Sequence, residues 1–227
     1  MKRGPVSVVV VALMVVGALG VMAGRQWRST PDTTTAVTAT TLAPAVQPLT
    51  AIWPFASTVT RFGDPVTAAQ AFATSYLGFV NPIVGGFRQG DSRSGEVPIQ
   101  ASPMGPVTTV IVREMTSDNS WWILGASCPD VVVTAPLTGS RISSPMVVRG
   151  RSTSFEAVVN VDVLEDGSST PLVSDVVRGG STGVLRPFSA SISFPPPSSR
   201  AGALVFRILS AKDGRVVQAS VMRVLFV

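Results

Sequence analysis

The sequence predicts a mainly β protein with three parts: an N-terminal transmembrane helix, a small α+β module, and a C-terminal antiparallel β-sandwich. Three observations support this fold class. An uncharged apolar run lies near the N-terminus, a single amphipathic helical pattern follows it, and most of the remaining chain alternates short apolar runs with turn residues. The 18 prolines and 20 glycines are typical of strands joined by turns.

The composition alone excludes several kinds of catalytic and metal site. The 227 residues include no histidine, which excludes Ser-His triads and histidine metal sites, and the single cysteine, Cys128, excludes an intramolecular disulfide. The formal charge is +5, but residues 51–227 hold 14 basic and 12 acidic side chains with no basic cluster. Because binding to phosphates requires clustered positive charge, we expect no nucleic-acid partner.

Residues 1–28 are predicted to form a signal anchor. Residues 4–24 carry no charge, and a helix of this length spans about 32 Å, which matches the hydrocarbon core of a bilayer. Basic residues flank the run on both sides, so we expect a single-pass protein of the cell membrane whose C-terminal bulk is extracytoplasmic. The alternative is a signal peptide cleaved near Ala23, which would yield a secreted protein.

Residues 29–50 contain eight threonines and three prolines, which predicts a disordered, extended stalk. Residues 51–129 follow as the α+β module. Asp64 is its expected N-cap and Pro65 the first residue of the helix, in which apolar residues recur every three or four positions as far as Val80. Three strands are predicted at residues 96–101, 107–115 and 121–127.

Residues 130–227 contain about seven predicted strands separated by turn signals, which is typical of an antiparallel sandwich. Residues 188–194 alternate strictly, with Phe188, Ile192 and Phe194 on one face. A second alternating pattern starts at Phe155 and continues to Val163. We therefore expect Phe155 and Phe194 to be core residues, and truncation of either to alanine should cost about 3–5 kcal/mol.

Several motifs in this half resemble those of a known family. They are ISSPMVVRG at residues 142–150, the pair Phe155-Glu156, residues 188–194, and Asp213-Gly214. Together they resemble the immunoglobulin-like domain of bacterial spore-germination proteins, the GerM-associated type, over about residues 131–226. The resemblance implies a non-catalytic immunoglobulin-like sandwich that is exported or membrane-tethered beside other envelope domains. Sixteen arginines against two lysines are typical of a GC-rich genome, such as that of an actinobacterium.

The candidates for chemistry are few. Asp162, Glu165 and Asp166 could supply oxygen ligands to calcium, but their spacing is equally typical of a hairpin turn. The only lysine after residue 50 is Lys212, and no histidine is present to act as a general base. We therefore expect no enzyme activity, no metal and no cofactor.

Two segments are candidate interaction surfaces. One is the polar loop before the first long strand, for which a solvated connector is the alternative. The other is the last strand, residues 216–227, which ends without a polar tail and should dock on the α+β module or on a partner. The candidate residues are Asp91, Arg93, Glu96, Arg223, Leu225 and Phe226.

The sequence thus favours a non-enzymatic, membrane-anchored protein that presents an immunoglobulin-like domain to other envelope proteins or to the cell wall. Its oligomeric state is left open. The alternative is an extracytoplasmic sensor or carrier of a small ligand, with an apolar pocket in residues 55–128. Such a pocket would be lined by Phe72, Tyr76 and Trp122. Trp121 and Trp122 are neighbours in one predicted strand, so their side chains should point to opposite faces of the sheet.

Overall fold

The computed structural model of this protein describes residues 47–227. The predicted transmembrane helix and the first 18 residues of the predicted stalk, 29–46, lie outside the described residues. No helix within residues 47–227 is both long and apolar enough to cross a membrane. The last residues assigned to the stalk pack on the fold, because the side-chain amide of Gln47 donates hydrogen bonds to the carbonyl oxygens of Ala51 and Ile52.

The described residues form one α-helix, a π-helical turn, a 3-10 turn and thirteen strands. The helix α1 spans Pro65–Phe72, the π-helical turn Ala73–Leu77 and the 3-10 turn Phe155–Ala157. The strands are β1 (Ile83–Val84), β2 (Arg88–Gln89), β3 (Ser94–Gln100), β4 (Val107–Glu114), β5 (Trp121–Ser127), β6 (Val131–Ala135), β7 (Arg141–Ile142), β8 (Met146–Ser152), β9 (Val158–Glu165), β10 (Val173–Arg178), β11 (Arg186–Ile192), β12 (Ala201–Leu209) and β13 (Val216–Phe226).

The start of α1 confirms the predicted cap. The Asp64 carboxylate accepts a hydrogen bond of 2.7 Å from the backbone N–H of Thr67, which satisfies one of the unpaired donors of the first turn. The regular helix is shorter than its apolar pattern, because it widens into the π-helical turn and ends at Gly78 in the left-handed conformation (φ +84°). Val80 was predicted on the apolar stripe; it lies beyond this end and is 46% exposed.

The strands form two sheets, and the larger sheet runs through both halves of the chain. Its order is β1-β3-β4-β5-β13-β12-β9-β10, with β2 added beside β3 and β7 beside β13. The smaller sheet has the order β11-β8-β6. Every pairing between strands is antiparallel except that of β7 with β13, so the predicted mainly β, antiparallel class is confirmed. The predicted boundary between residues 129 and 130 stays a prediction, although the sheet is continuous across it.

Two hydrophobic cores lie on opposite faces of the larger sheet, and β12 contributes to both. Ala203 and Val205 belong to the core beneath α1, whereas Leu204 and Phe206 belong to the core of the sandwich. The sequence of a strand that is buried on both faces is a continuous apolar run and does not alternate between apolar and polar residues. This burial explains the run AGALVFRIL at residues 201–209.

A partly buried ion pair connects the end of the helical segment to the larger sheet. Arg207 of β12 pairs with Asp162 of β9 and also donates hydrogen bonds of 3.0 Å to the carbonyl oxygens of Tyr76 and Leu77. These carbonyls lie at the end of the π-helical turn, where the regular hydrogen-bond pattern of a helix is interrupted. Burial raises the pKa of the nearby Tyr76 hydroxyl above its usual range. The pair therefore holds the helical segment against β12.

Candidate functional site

The predicted polar loop is the hairpin between β2 and β3. Asp91 accepts a hydrogen bond of 2.8 Å from the backbone N–H of Arg93, and this bond lowers the pKa of Asp91. The Arg93 guanidinium lies 3.8 Å from the Glu114 carboxylate, and Glu96 is exposed on β3. Asp91 and Arg93 thus have local partners that shape the hairpin, and a role in interaction stays a prediction.

The structure corrects the position assumed for the last strand. β13 is not a free edge, because it lies between β12 and β5 and so joins the sandwich to the α+β module. Arg223 is only 2% exposed and pairs with Asp166, and Phe226 packs on Phe194 with ring centroids 5.8 Å apart. Of the three candidates only Leu225 is half-buried. Residues 216–226 are thus paired within the chain, and docking of this segment on a partner stays a prediction.

The three acidic residues considered for calcium have other partners. Asp162 pairs with Arg207 and Asp166 pairs with Arg223. The Glu165 carboxylate accepts hydrogen bonds of 2.7 and 2.8 Å from the backbone N–H and the hydroxyl of Ser198, and these bonds lower its pKa. Within residues 47–227, no group of three His, Cys, Asp or Glu residues is placed to hold a metal ion.

Aromatic side chains fill the space in which the alternative pocket was predicted. The rings of Phe72 and Tyr76 stack with their centroids 5.0 Å apart, and Phe72 is completely buried. Trp122 lies elsewhere, with the Arg61 guanidinium carbon 4.9 Å from the centre of its ring, whereas Trp121 packs edge-on against Phe87. The two tryptophans thus have separate neighbours, as expected of adjacent strand residues.

The sequence did not predict a cleft that lies at one end of the sandwich and that we call the Phe155 cleft. It has a volume of about 530 Å³. The residues that line it are Asp130, residues 153–156, 181–183 and 208–211, and Val217 and Gln218 of β13. The cleft therefore depends on β13, the strand that also joins the two cores.

Phe155 lies in the wall of this cleft and not in the core, contrary to the prediction. The 3-10 turn Phe155–Ala157 interrupts the alternation that leads into β9, and both Glu156 (φ +60°) and Ala157 (φ +59°) adopt the left-handed conformation. As a result the side chain of Phe155 is 67% exposed. Left-handed backbone costs about 1–2 kcal/mol for each residue that carries a Cβ atom, so this turn is strained.

Three hydrogen bonds to two neighbouring segments hold the strained turn. The backbone N–H of Thr153 donates to the carbonyl of Asp130, that of Ser154 to the carbonyl of Gly180, and that of Gly179 to the carbonyl of Ala157, all within 3.0–3.1 Å. Gly180 is required for this close approach, because a Cβ atom there would lie 1.8 Å from the carbonyl oxygen of Val184. The turn is thus held in place by fixed backbone contacts.

The polar side chains of the cleft are two carboxylates, one amide and five hydroxyls. The side-chain amide nitrogen of Gln218 donates to the Asp130 carboxylate at 2.5 Å, which fixes the orientation of the amide. Gln218 is 2% exposed, and its side-chain oxygen has no hydrogen-bond partner among the described residues; the same holds for the buried hydroxyl of Thr153. Glu156 adds an exposed carboxylate at the rim. Apolar surface combined with a few fixed acceptors is the usual composition of a binding site.

Replacement of Glu156 by glycine should stabilise the protein. Glycine adopts positive φ angles without the Cβ penalty, although the greater entropy of its unfolded state offsets part of the gain, so Glu156→Gly should raise the free energy of unfolding by up to about 1 kcal/mol. Urea denaturation would measure this change. Glu156→Gln is the matched control, since it keeps the strain and should change stability by less than about 0.5 kcal/mol. A Glu156→Gly variant less stable than wild type would show that the turn stores no strain.

The sequence contained two signals for this cleft that the alternating pattern obscured. Ser152, Thr153 and Ser154 form a polar run directly before Phe155, which argues against a continuous core-facing strand. The pair Gly179-Gly180 indicates a close approach of backbones as well as a turn. The partners Asp130 and Gln218 had no local signal, because 88 residues separate them in the chain.

Comparison with known families supports the assignment of the C-terminal half. Residues 130–215 match the model of the immunoglobulin-like domain of bacterial spore germination, which confirms the resemblance seen in the motifs. The match covers β6 to β12 and stops before β13. No curated protein and no solved structure matches the chain. The two-sheet architecture of this half, with β9 and β10 facing β8 and β11 across one core, is that of an immunoglobulin-like sandwich.

Proposed function

We propose that this chain is a non-enzymatic, membrane-anchored binding protein of the bacterial envelope, and that it contacts a partner through the Phe155 cleft. An immunoglobulin-like domain of this family suggests binding or interaction, not catalysis. Anchoring and an extracytoplasmic location are supported by the uncharged residues 4–24 and their basic flanks. The arginine-rich, lysine-poor composition supports an actinobacterial envelope as the setting.

The exposed side chain of Phe155 is the observation that carries this proposal. An aromatic ring in water contributes nothing to the folded core, and here it is presented by two left-handed residues that cost further free energy. Strained backbone is retained mainly at sites where the strain serves a function. The hydrogen-bonded turn exposes a phenylalanine beside a cleft. A partner that covers the ring therefore best explains this arrangement.

Site-specific crosslinking in living cells would test the proposal. A photoreactive amino acid at Thr182, in the wall of the cleft, should yield a discrete crosslinked partner in carbonate-washed membranes. The matched control is Met104, which is 99% exposed and does not line the cleft, and it should yield none. Phe155→Ser should abolish the Thr182 crosslink and leave the thermal stability of the protein unchanged.

Three results would contradict the proposal. If Phe155→Ser keeps the crosslink, the cleft is not the binding surface. If Met104 and Thr182 give the same crosslinks, the contact is not specific. A mature protein that begins near Ala23 and accumulates in the medium would show that the anchor is cleaved.

A further inference from the structure

We infer that the Phe155 cleft recognises a lysine or arginine side chain in an extended segment of a partner protein, next to an apolar residue that packs on Phe155. This inference rests on the proposed binding function and specifies the chemistry of the partner. It follows from the charge and the hydrogen-bonding character of the residues that line the cleft, taken with the position of the exposed ring.

The charge of the cleft is negative. Its lining includes the carboxylates of Asp130 and Glu156 and, among the described residues, no arginine or lysine. Neither carboxylate is in an ion pair with a basic residue of the described chain, whereas Asp162 and Asp166 in the larger sheet are each paired with an arginine. The negative charge of the cleft is therefore available to a cation.

The hydrogen-bonding character points to the same partner. The unpaired side-chain oxygen of Gln218 can only accept a hydrogen bond, and the bond from its nitrogen to Asp130 prevents the amide from reversing. Ammonium and guanidinium groups carry donors alone, so they match a set of acceptors made of two carboxylates and an amide oxygen. An acidic or purely apolar side chain would leave the side-chain oxygen of Gln218 without a donor and the Glu156 carboxylate without a cation.

The apolar surface of the cleft favours a protein segment over a carbohydrate of the cell wall as the partner. Phe155, Ile208, Leu209 and Val217 line the cleft around its polar groups. Lysine and arginine place an apolar stem behind the charged head, and a neighbouring large apolar residue would cover the ring of Phe155. A cleft that mixes a ring, aliphatic side chains and acceptors fits such a segment better than a chain of hydroxyl-rich sugars.

An array of immobilised nine-residue peptides tests this inference with the full-length protein in lipid nanodiscs. The peptides place leucine or phenylalanine beside lysine, arginine, acetyl-lysine, citrulline or glutamate. Wild type should bind the lysine and arginine peptides about three- to fivefold more strongly than their neutral counterparts, the range expected of a largely exposed ion pair. This preference should weaken as salt is raised from low to physiological concentration and above.

Three variants separate this inference from the proposed function. Glu156→Gln should reduce the preference to less than about twofold, since one of the two carboxylates is then neutral. Glu96→Gln removes an exposed carboxylate that does not line the cleft and should leave the preference intact. Phe155→Ser should weaken the binding of all the peptides to a similar extent.

The outcomes are distinguishable. If Phe155→Ser weakens binding but charged and neutral peptides bind alike, the cleft is the binding surface and the inference about cations is wrong. If Phe155→Ser has no effect, both the inference and the proposed function fail. Failure of every peptide to bind, or displacement of the bound peptides by purified wall fragments, would overturn the inference that the partner is a protein segment.

Discussion

Phe194→Ala should lower the free energy of unfolding by about 3–5 kcal/mol, whereas Phe155→Ala should change it by less than about 0.5 kcal/mol. Both residues were expected in the core from their alternating patterns, but the structure buries only Phe194. Phe194 is 7% exposed and packs on Phe226 in the sandwich core, so its truncation leaves a cavity. Phe155 is 67% exposed, and its truncation removes few packing contacts.

Urea denaturation followed by fluorescence of the tryptophans would measure both variants. The pair is a matched test because the same substitution is made at two phenylalanines 39 positions apart in the chain. Equal losses of stability would contradict the exposed position of Phe155 and, with it, the Phe155 cleft. A Phe194→Ala variant as stable as wild type would show that the sandwich core tolerates the cavity.

Arg223→Met should also be strongly destabilising, by about 3–5 kcal/mol. The guanidinium of Arg223 is almost completely buried, makes two contacts with the Asp166 carboxylate, and donates a hydrogen bond of 2.6 Å to the carbonyl oxygen of Leu49. Removal of the cation leaves the mostly buried Asp166 carboxylate unpaired. It also removes the hydrogen bond that holds the segment around Leu49 to β13. The variant should therefore both unfold at lower urea and become sensitive to proteolysis near Leu49.

Two further variants identify the cause of that loss. The double variant Arg223→Met/Asp166→Asn carries neither charge. Its loss in free energy of unfolding should therefore be about 1–3 kcal/mol smaller than the sum of the losses of the two single variants. Arg215→Met breaks the exposed pair with Asp213 and should cost less than about 1 kcal/mol. If the losses of the two single variants simply add, the pair with Asp166 is not what makes Arg223 important.

Local signals predicted local features well. The cap at Asp64 and the β-rich class both follow from residue types within a few positions of each other, and the structure confirms them. The alternation of residues 188–194 likewise predicted a strand with one buried face, which is β11 and the residues after it. Caps, turns and alternation depend on short-range geometry, and the sequence displays them directly.

The position of the candidate site could not be read in this way. The pattern from Phe155 to Val163 satisfies the alternation rule, yet the first three residues form a left-handed turn held by backbone groups of residues 130 and 179–180. Nothing within the segment itself encodes those contacts. Likewise, Asp130 meets Gln218 only because β13 returns to the start of the sandwich after passing through the rest of its strands.

The sequence by itself determined the mainly β, antiparallel class, the cap of the helix, and the immunoglobulin-like character of the C-terminal half. Only the tertiary structure decided that β12 and β13 are buried on both faces, that Arg223 is an internal ion-pair partner, and that Phe155 faces solvent beside a cleft. The physical reason is the range of the interactions involved. Propensity, capping and alternation act between near neighbours, whereas the burial of a face depends on which distant strand covers it.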